Sequence, residues 1–250
     1  MTYLKKIKSL FRSEQQFRLF IILSGSTLFS FLLFVFRLEY LNFDYQQINS
    51  VRDLSFYRGE RTFMFLNWNL FLAWIPYLLT LTLPHFYQKY NSKIIIVGIL
   101  FFWLLFFPNA PYILTDFLHL KKRVGIPLWY DVMLFLSFAW TGLILGYLSL
   151  LEVQLFLRNF FSKTIVHITS VIVLLLSGFG IYLGRIQRWN SWDIITNPLS
   201  LFADILNILA NPQTLGLAVV VSVFLLLGYF TLMVLAQDER EEHILDDNLF

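Results

Sequence analysis

The sequence contains no cysteine. Disulfide bonds, thiolate metal sites and cysteine nucleophiles are therefore all excluded. Charge is also scarce, because Asp, Glu, Lys and Arg make up 14% of the 250 residues, whereas roughly a quarter of a soluble domain is charged. The net charge of +3 is too small to indicate a nucleic-acid partner in such apolar surroundings, and we expect none.

Several motifs that indicate a particular chemistry are also absent from the sequence. The chain has no glycine-rich phosphate loop, no His-Glu-x-x-His zinc motif and no Gly-x-Ser-x-Gly nucleophile elbow. It also lacks an evident internal repeat of the kind that underlies inverted-repeat transporters. We therefore expect no cofactor, and the function has to be inferred from the placement of isolated polar groups.

Hydrophobic residues, by contrast, make up 58% of the chain and include 28 phenylalanines. This composition predicts an all-α, polytopic integral membrane helical bundle with about six transmembrane helices. The predicted spans are residues 19–36, 62–83, 94–118, 132–151, 164–183 and 215–235. An interfacial or re-entrant helix is expected at 199–210, because that segment is too short to cross a membrane. A single membrane domain, 18–236, would follow a basic flank, 1–17, and precede a solvated, flexible acidic tail, 237–250.

The third predicted span is interrupted by Pro108 and Pro111. A proline lacks the backbone N–H and clashes with the carbonyl four residues earlier, so the helix should break here. Ile94 to Phe107 gives only about 21 Å of helix, short of the roughly 30 Å hydrocarbon core. The break therefore falls at a depth where free backbone groups must be buried in protein or face a watery cavity.

A new α-helix is expected after the break, with Pro111 in its first turn and Asn109 or Ala110 as its cap. Its α-helical spacing would place four polar residues on one stripe: Tyr112, Thr115, Asp116 and His119. Asp116 and His119 could form an acid–base pair. They could also ligate a metal, but two ligands do not make a site and the other histidines are not placed to help, so we predict no metal.

Further polar blocks adjoin the odd-numbered loops. If six spans alternate, these blocks and the broken segment share one membrane face, and polar groups at membrane depth are functional candidates. The candidate ligand-binding residues are Arg58, Glu60, Arg61, Asn67, Asn109, Tyr112, Asp116, His119, Arg185, Arg188 and Asp193. Simpler roles remain open: the arginines can snorkel to the interface, and the asparagines can bond neighbouring helices. If the fifth span continues, Arg185, Arg188, Trp189 and Trp192 share a face.

Three segments also resemble the recurring blocks of a bacterial family known as domain of unknown function 1361. They are Tyr57–Arg61, Phe106–Leu120 with its Pro-Asn-Ala-Pro-Tyr sequence, and Gly184–Asp193. The resemblance implies an uncharacterised multi-pass protein of the bacterial cell membrane, and it supplies no reaction or catalytic residues. Five basic residues ahead of the first span favour cytoplasmic termini, although the Lys and Arg totals on the two sides are nearly equal.

Three functions fit these features. The first is binding or transport of a small anionic or amphiphilic ligand, with arginines supplying charge and polar groups of the broken segment orienting the ligand. The second is a membrane-embedded enzyme acting on a lipid or lipid-linked substrate, with His119 as acid–base and Asp116 as its partner. The third is a structural or assembly subunit that docks a membrane protein partner. Membrane lipids are expected contacts in every case.

Overall fold

The computed structural model describes residues 11–40, 62–123, 125–189, 193–210 and 215–247. The chain divides into two compact units, residues 1–160 and 161–250. The single membrane domain expected from the sequence stays a prediction.

Over the described residues the fold is all-α. The first unit contains α1 (Glu14–Tyr40), α2 (Met64–Tyr90), α3 (Lys93–Phe106), α4 (Asn109–Tyr112), a 3₁₀ helix (Ile113–His119) and α5 (Leu128–Leu157). The second unit contains α6 (Lys163–Arg185), α7 (Asp193–Thr196), α8 (Pro198–Ala210) and α9 (Gly216–Asp247).

Six helical segments of the described chain are long and apolar enough to cross a membrane. They are Glu14–Glu39, Met64–Tyr90, Lys93–His119, Leu128–Leu157, Lys163–Arg185 and Gly216–Leu235. Each corresponds to one predicted span, and the third contains the proline break. The protein is therefore a multi-pass membrane protein, as the composition predicts. The short apolar helix α8 begins at Pro198, the predicted first-turn proline.

Helix α5 forms the centre of the first unit. It is the most enclosed span, with 61% of its apolar window buried, and Phe138 and Leu145 are fully buried. A tryptophan side chain joins two other spans of this unit: Trp74 Nε1 of α2 donates to the Thr27 hydroxyl of α1 at 3.0 Å. Such polar contacts help to fix helix neighbours where lipid supplies no hydrophobic driving force.

In the second unit, α6 packs tightly against α9. A Cβ atom on Gly178 would lie 2.7 Å from the carbonyl oxygen of Ala218, so only glycine permits this approach. Tyr182, Ile208 and Ala218 form a buried cluster. Helix α9 continues to Asp247, whereas the sequence predicts a flexible tail over that acidic segment.

Candidate functional site

The third span breaks where the prolines predict, and Asn109 compensates for part of the backbone hydrogen bonding that is lost. Helix α3 ends at Phe106 and α4 begins at Asn109. The Asn109 side-chain amide donates to the Phe106 carbonyl at 3.0 Å. The predicted cap is wrong in detail, because Pro108 occupies the N-cap position and Asn109 is the first helical residue. Asn109 therefore has a local contact, as a donor to the end of the preceding helix.

Two glycines of α5 make room for the broken segment. A Cβ on Gly142 would lie 2.7 Å from Ile113 Cδ1 and 2.8 Å from the Ala110 carbonyl oxygen, and one on Gly146 would lie 3.1 Å from Ala110 Cβ. Small residues four apart allow close helix approach in membranes. The Gly142-x-x-x-Gly146 spacing is visible in the sequence, but the sequence analysis did not use it.

The residues after the break do not form the predicted α-helix. Ile113–His119 is a 3₁₀ helix, with three residues per turn instead of 3.6. Positions three apart eclipse one another in this geometry, so Asp116 and His119 lie on one side. The predicted stripe is wrong in its other members, because Thr115 is rotated away from Asp116 and Tyr112 belongs to α4. Thr115 instead donates its hydroxyl to the Tyr112 carbonyl at 2.7 Å.

Asp116 is the most enclosed polar residue of this segment, with 0% of its surface exposed. The Asn69 side-chain amide of α2 donates to Asp116 Oδ2 at 2.7 Å, a distance typical of a bond to a charged acceptor. His119 is half-buried, and its ring centroid lies 5.1 Å from that of Phe65. The carboxylate is therefore held against α2, with an imidazole one turn further along the same helix.

A buried ion pair lies between α1 and α5. Arg37 Nε donates to Asp131 Oδ1 at 2.7 Å, and the two side chains are 0% and 2% exposed. Arg123 Nη1 lies 3.7 Å from Asp131 Oδ2, and the Arg123 side chain is 19% exposed. Two guanidinium groups thus approach one carboxylate, and one of them reaches the surface. We call these three residues the arginine–aspartate cluster.

The ring of Phe63 completes the surroundings of this cluster. The Cζ atoms of Arg37 and Arg123 lie 3.9 and 4.4 Å from its ring centroid, within cation–π range. Phe63 is fully buried and adopts a left-handed conformation with φ 59°. A bulky residue in that region costs on the order of 1–3 kcal/mol. The surrounding contacts hold Phe63 in this strained backbone conformation, with its ring against the two arginines.

A chain of rings connects the cluster to the broken segment. Phe63 contacts Phe135 of α5 with centroids 4.6 Å apart, and Phe135 lies 5.7 Å from Phe117 of the 3₁₀ helix. Phe65 lies 5.8 Å from Phe63 and also contacts His119. The arginine–aspartate cluster and the Asp116–His119 segment therefore border a common aromatic layer in the first unit.

Asn67 is not brought to the same place as Asn69. Residues two apart on an α-helix point about 200° away from each other, and Asn69 contacts Asp116. Trp74 lies seven positions after Asn67 on the same face and bonds Thr27 of α1. Asn67 therefore faces the α1 side, and its Nδ2 atom is buried without a hydrogen-bond partner.

In the second unit, the fifth span does not continue as a helix, so Arg185, Arg188 and Trp189 do not share a helical face; Trp192 lies outside the described residues. Helix α6 ends at Arg185, and the exposed Arg188 has a non-helical φ of 62°. Trp189 Nε1 donates to Asp204 Oδ2 at 3.0 Å, linking this segment to α8. Asp193 begins α7 and accepts a hydrogen bond from the Thr196 hydroxyl at 3.1 Å.

Three candidates, Arg58, Glu60 and Arg61, lie outside the described residues. Among the residues that are described, no group of three or more His, Asp or Glu side chains is placed to hold a metal ion. The structure brings together Asn69, Asp116 and His119. It adds three residues that are not among the candidate ligand-binding residues predicted from the sequence: Arg37, Arg123 and Asp131. Lone charges beside the first and fourth spans, Arg37 and Asp131, were the available signal.

Comparison with known proteins identifies a family and nothing finer. Residues 68–227 match the family described as "Protein of unknown function (DUF1361)". A search of curated proteins and a search of solved structures each returned no match. Because the match covers more than half of the chain, the protein belongs to this family, and the predicted family is confirmed. Of the three sequence blocks, Phe106–Leu120 and Gly184–Asp193 lie within the matched residues and Tyr57–Arg61 lies outside them.

Proposed function

We propose that this DUF1361 member binds a small anionic amphiphile at the membrane face that contains the break in its third span. The observation that carries the proposal is the Arg123 guanidinium. It is partly exposed, lies over Phe63, and is anchored 3.7 Å from the buried Asp131 carboxylate. A guanidinium already fixed in position loses little conformational freedom on binding an anionic group.

The charge of the adjoining loop supports an anionic ligand. Lys121 and Lys122 precede Arg123 directly and are both exposed. A turn bridged between Arg123 and Ile126, with Gly125 at φ 87°, leads the chain from these cations into α5. Three successive basic residues beside a membrane span provide a favourable field for a phosphate or carboxylate head group.

The broken segment supplies the second part of the proposed site. The half-buried His119 offers polar atoms for a hydroxyl or amine of the ligand, and the buried Asp116 carboxylate lies one turn before it. Phe65 and Phe117 offer apolar contact area beside them. Discontinuous helices form ligand sites in membrane transporters for the same reason, since they expose polar groups at membrane depth. This arrangement suits an amphiphile better than a simple inorganic anion.

The test is native mass spectrometry of the full chain, purified in lipid nanodiscs, to detect a retained small molecule. Arg123→Ala should reduce its occupancy, and Arg185→Ala/Arg188→Ala separately tests the cations of the second unit. Lys163→Ala is the matched control, because Lys163 is an exposed cation at the start of α6. Retention unaffected by Arg123→Ala and by the double variant would reject the proposal.

A second function, lipid-directed catalysis, is favoured by one observation. Asp116 and His119 are one 3₁₀ turn apart, so the carboxylate can orient the imidazole for proton transfer. In that case His119→Ala would abolish release of water-soluble product from radiolabelled membrane lipids, while folding stays intact. Full turnover in this variant would remove the assigned catalytic role and leave ligand binding as the function.

A further inference from the structure

A pocket of about 510 Å³ lies between the start of α1 and the end of α2. Its volume is within the roughly 300–1,000 Å³ typical of small-molecule sites. Along α2, Leu78 lies about 14 Å and Gln88 about 28 Å from Asn69, so the pocket lies toward the opposite end of α2 from the Asn69–Asp116 contact. We call it the α1–α2 pocket, and none of its lining residues belongs to the proposed ligand site.

The walls of the α1–α2 pocket are mainly apolar, with Phe20, Leu78 and Leu81 among the apolar residues. Its polar lining residues are Arg12, Gln16, Thr82, His85 and Gln88. Arg12 lies just before α1, and Gln16 lies in the first turn of that helix. This combination suits a lipid, which has a charged head group at one end and a long hydrocarbon chain.

Pro84 weakens the helical hydrogen bonding at this end of α2. It lies inside the helix and also lines the pocket. Because it has no N–H, the Thr80 carbonyl loses its helical partner and the helix can bend away from its neighbour.

The charges around the pocket favour an anionic head group. Arg12 is exposed, as are Lys89 and Lys93 at the adjoining helix ends. Glu152 of α5 interacts with both Arg12 and Gln16. That carboxylate offsets part of the positive charge but also holds the arginine near the pocket. Basic pockets between membrane helices are recurrent sites for anionic lipid head groups.

We propose that the α1–α2 pocket binds an anionic phospholipid, with an acyl chain inside the pocket and the phosphate against Arg12. The chain enters between Phe20 and Leu81, and the head group stays at the membrane surface. This is a structural lipid site at the C-terminal end of α2, separate from the break in the third span. Its occupant comes from the bilayer and not from solution.

The experiment uses phosphatidylglycerol with a photoactivatable diazirine in its acyl chain, in phosphatidylcholine nanodiscs containing the full chain. Cross-links should concentrate in residues 11–20 and 78–88, and excess unlabelled phosphatidylglycerol should suppress them. Leu81→Trp fills the pocket and should remove most of this labelling. Ile94→Trp is the matched control, because Ile94 is 85% exposed and lines no part of the pocket.

Arg12→Ala tests the head-group contact. It should lower labelling about fivefold, the effect expected for one basic residue at an anionic membrane surface. The control variant Arg18→Ala should not lower it, because Arg18 is an exposed arginine of α1 that does not line the pocket. Equal labelling by a phosphatidylcholine probe would overturn the anionic specificity. Labelling unchanged by Leu81→Trp, or not suppressed by unlabelled phosphatidylglycerol in the wild type, would mean ordinary surface contact with lipid and would overturn the pocket itself.

Discussion

Arg37 and Asp131 are 94 positions apart in the chain, and they meet as a buried ion pair with Nε 2.7 Å from Oδ1. The contact joins the end of α1 to the first turn of α5. Each residue alone would be a costly charge at a membrane boundary. Together they fix the position of Phe63 and Arg123, on which the proposed ligand site depends.

The first prediction concerns this ion pair. Arg37→Met should destabilise the protein by about 3–5 kcal/mol, because it leaves the Asp131 carboxylate buried without its main partner. The double variant Arg37→Met/Asp131→Leu should recover much of that loss, since both charges are then absent. Thermal unfolding in detergent measures both effects. A single variant as stable as the wild type would show that the pair does not hold α1 to α5.

The second prediction concerns the close approach at Gly142. Gly142→Ala places a methyl group 2.7 Å from Ile113 Cδ1, so the broken segment must shift. Overpacking of this kind costs about 1–3 kcal/mol. Gly25→Ala is the matched control in α1, because no atom lies within 4 Å of its added Cβ. Equal melting temperatures for the two variants would contradict the packing described here.

The third prediction concerns the local structural role of Asn109. Asn109→Ala leaves the Phe106 carbonyl without its side-chain donor, at a cost of about 1–3 kcal/mol if water cannot replace it. Asn159→Ala removes a similar bond, to the Phe156 carbonyl at 2.9 Å, from a residue exposed at the end of its helix. That control should lose little stability in the same unfolding assay. If the two losses match, the break is open to water.

The fourth prediction tests the bond between Asn69 and Asp116. A double-mutant cycle with Asn69→Ala and Asp116→Ala should give a coupling energy of about 1.5–3 kcal/mol, as expected for a hydrogen bond to a charged group. Additive losses would mean that the two side chains do not interact in the membrane. In that case the carboxylate would be oriented by other contacts.

Local backbone chemistry made the break predictable. Pro108 and Pro111 each remove a helical N–H, and this effect depends on no distant residue. The 3₁₀ geometry after the break was not predictable, because the α-helical and 3₁₀ states of Ile113–His119 differ mainly in how they pack against α5. The predicted polar stripe therefore failed while the predicted position of the interruption held.

Long-range pairing explains what the sequence analysis missed. Nothing near Arg37 in the chain identifies Asp131 as its partner, and hydropathy places both outside the predicted spans. The pairing follows only once α1 and α5 are neighbours. The glycines at 142 and 146 were a local signal that small residues on one face should admit another helix, and that pattern could have located the contact with Ala110.

The central claim is that the broken third span opens a polar site at one membrane face. Because the chain contains no cysteine, single introduced thiols report their surroundings without background. A His119→Cys variant in nanodiscs should react quickly with a membrane-impermeant maleimide. Leu118→Cys, at an apolar position that is 62% exposed, should react much more slowly. Leu225→Cys, at a position buried in α9, should also react much more slowly. Equally slow labelling at all three positions would contradict the claim.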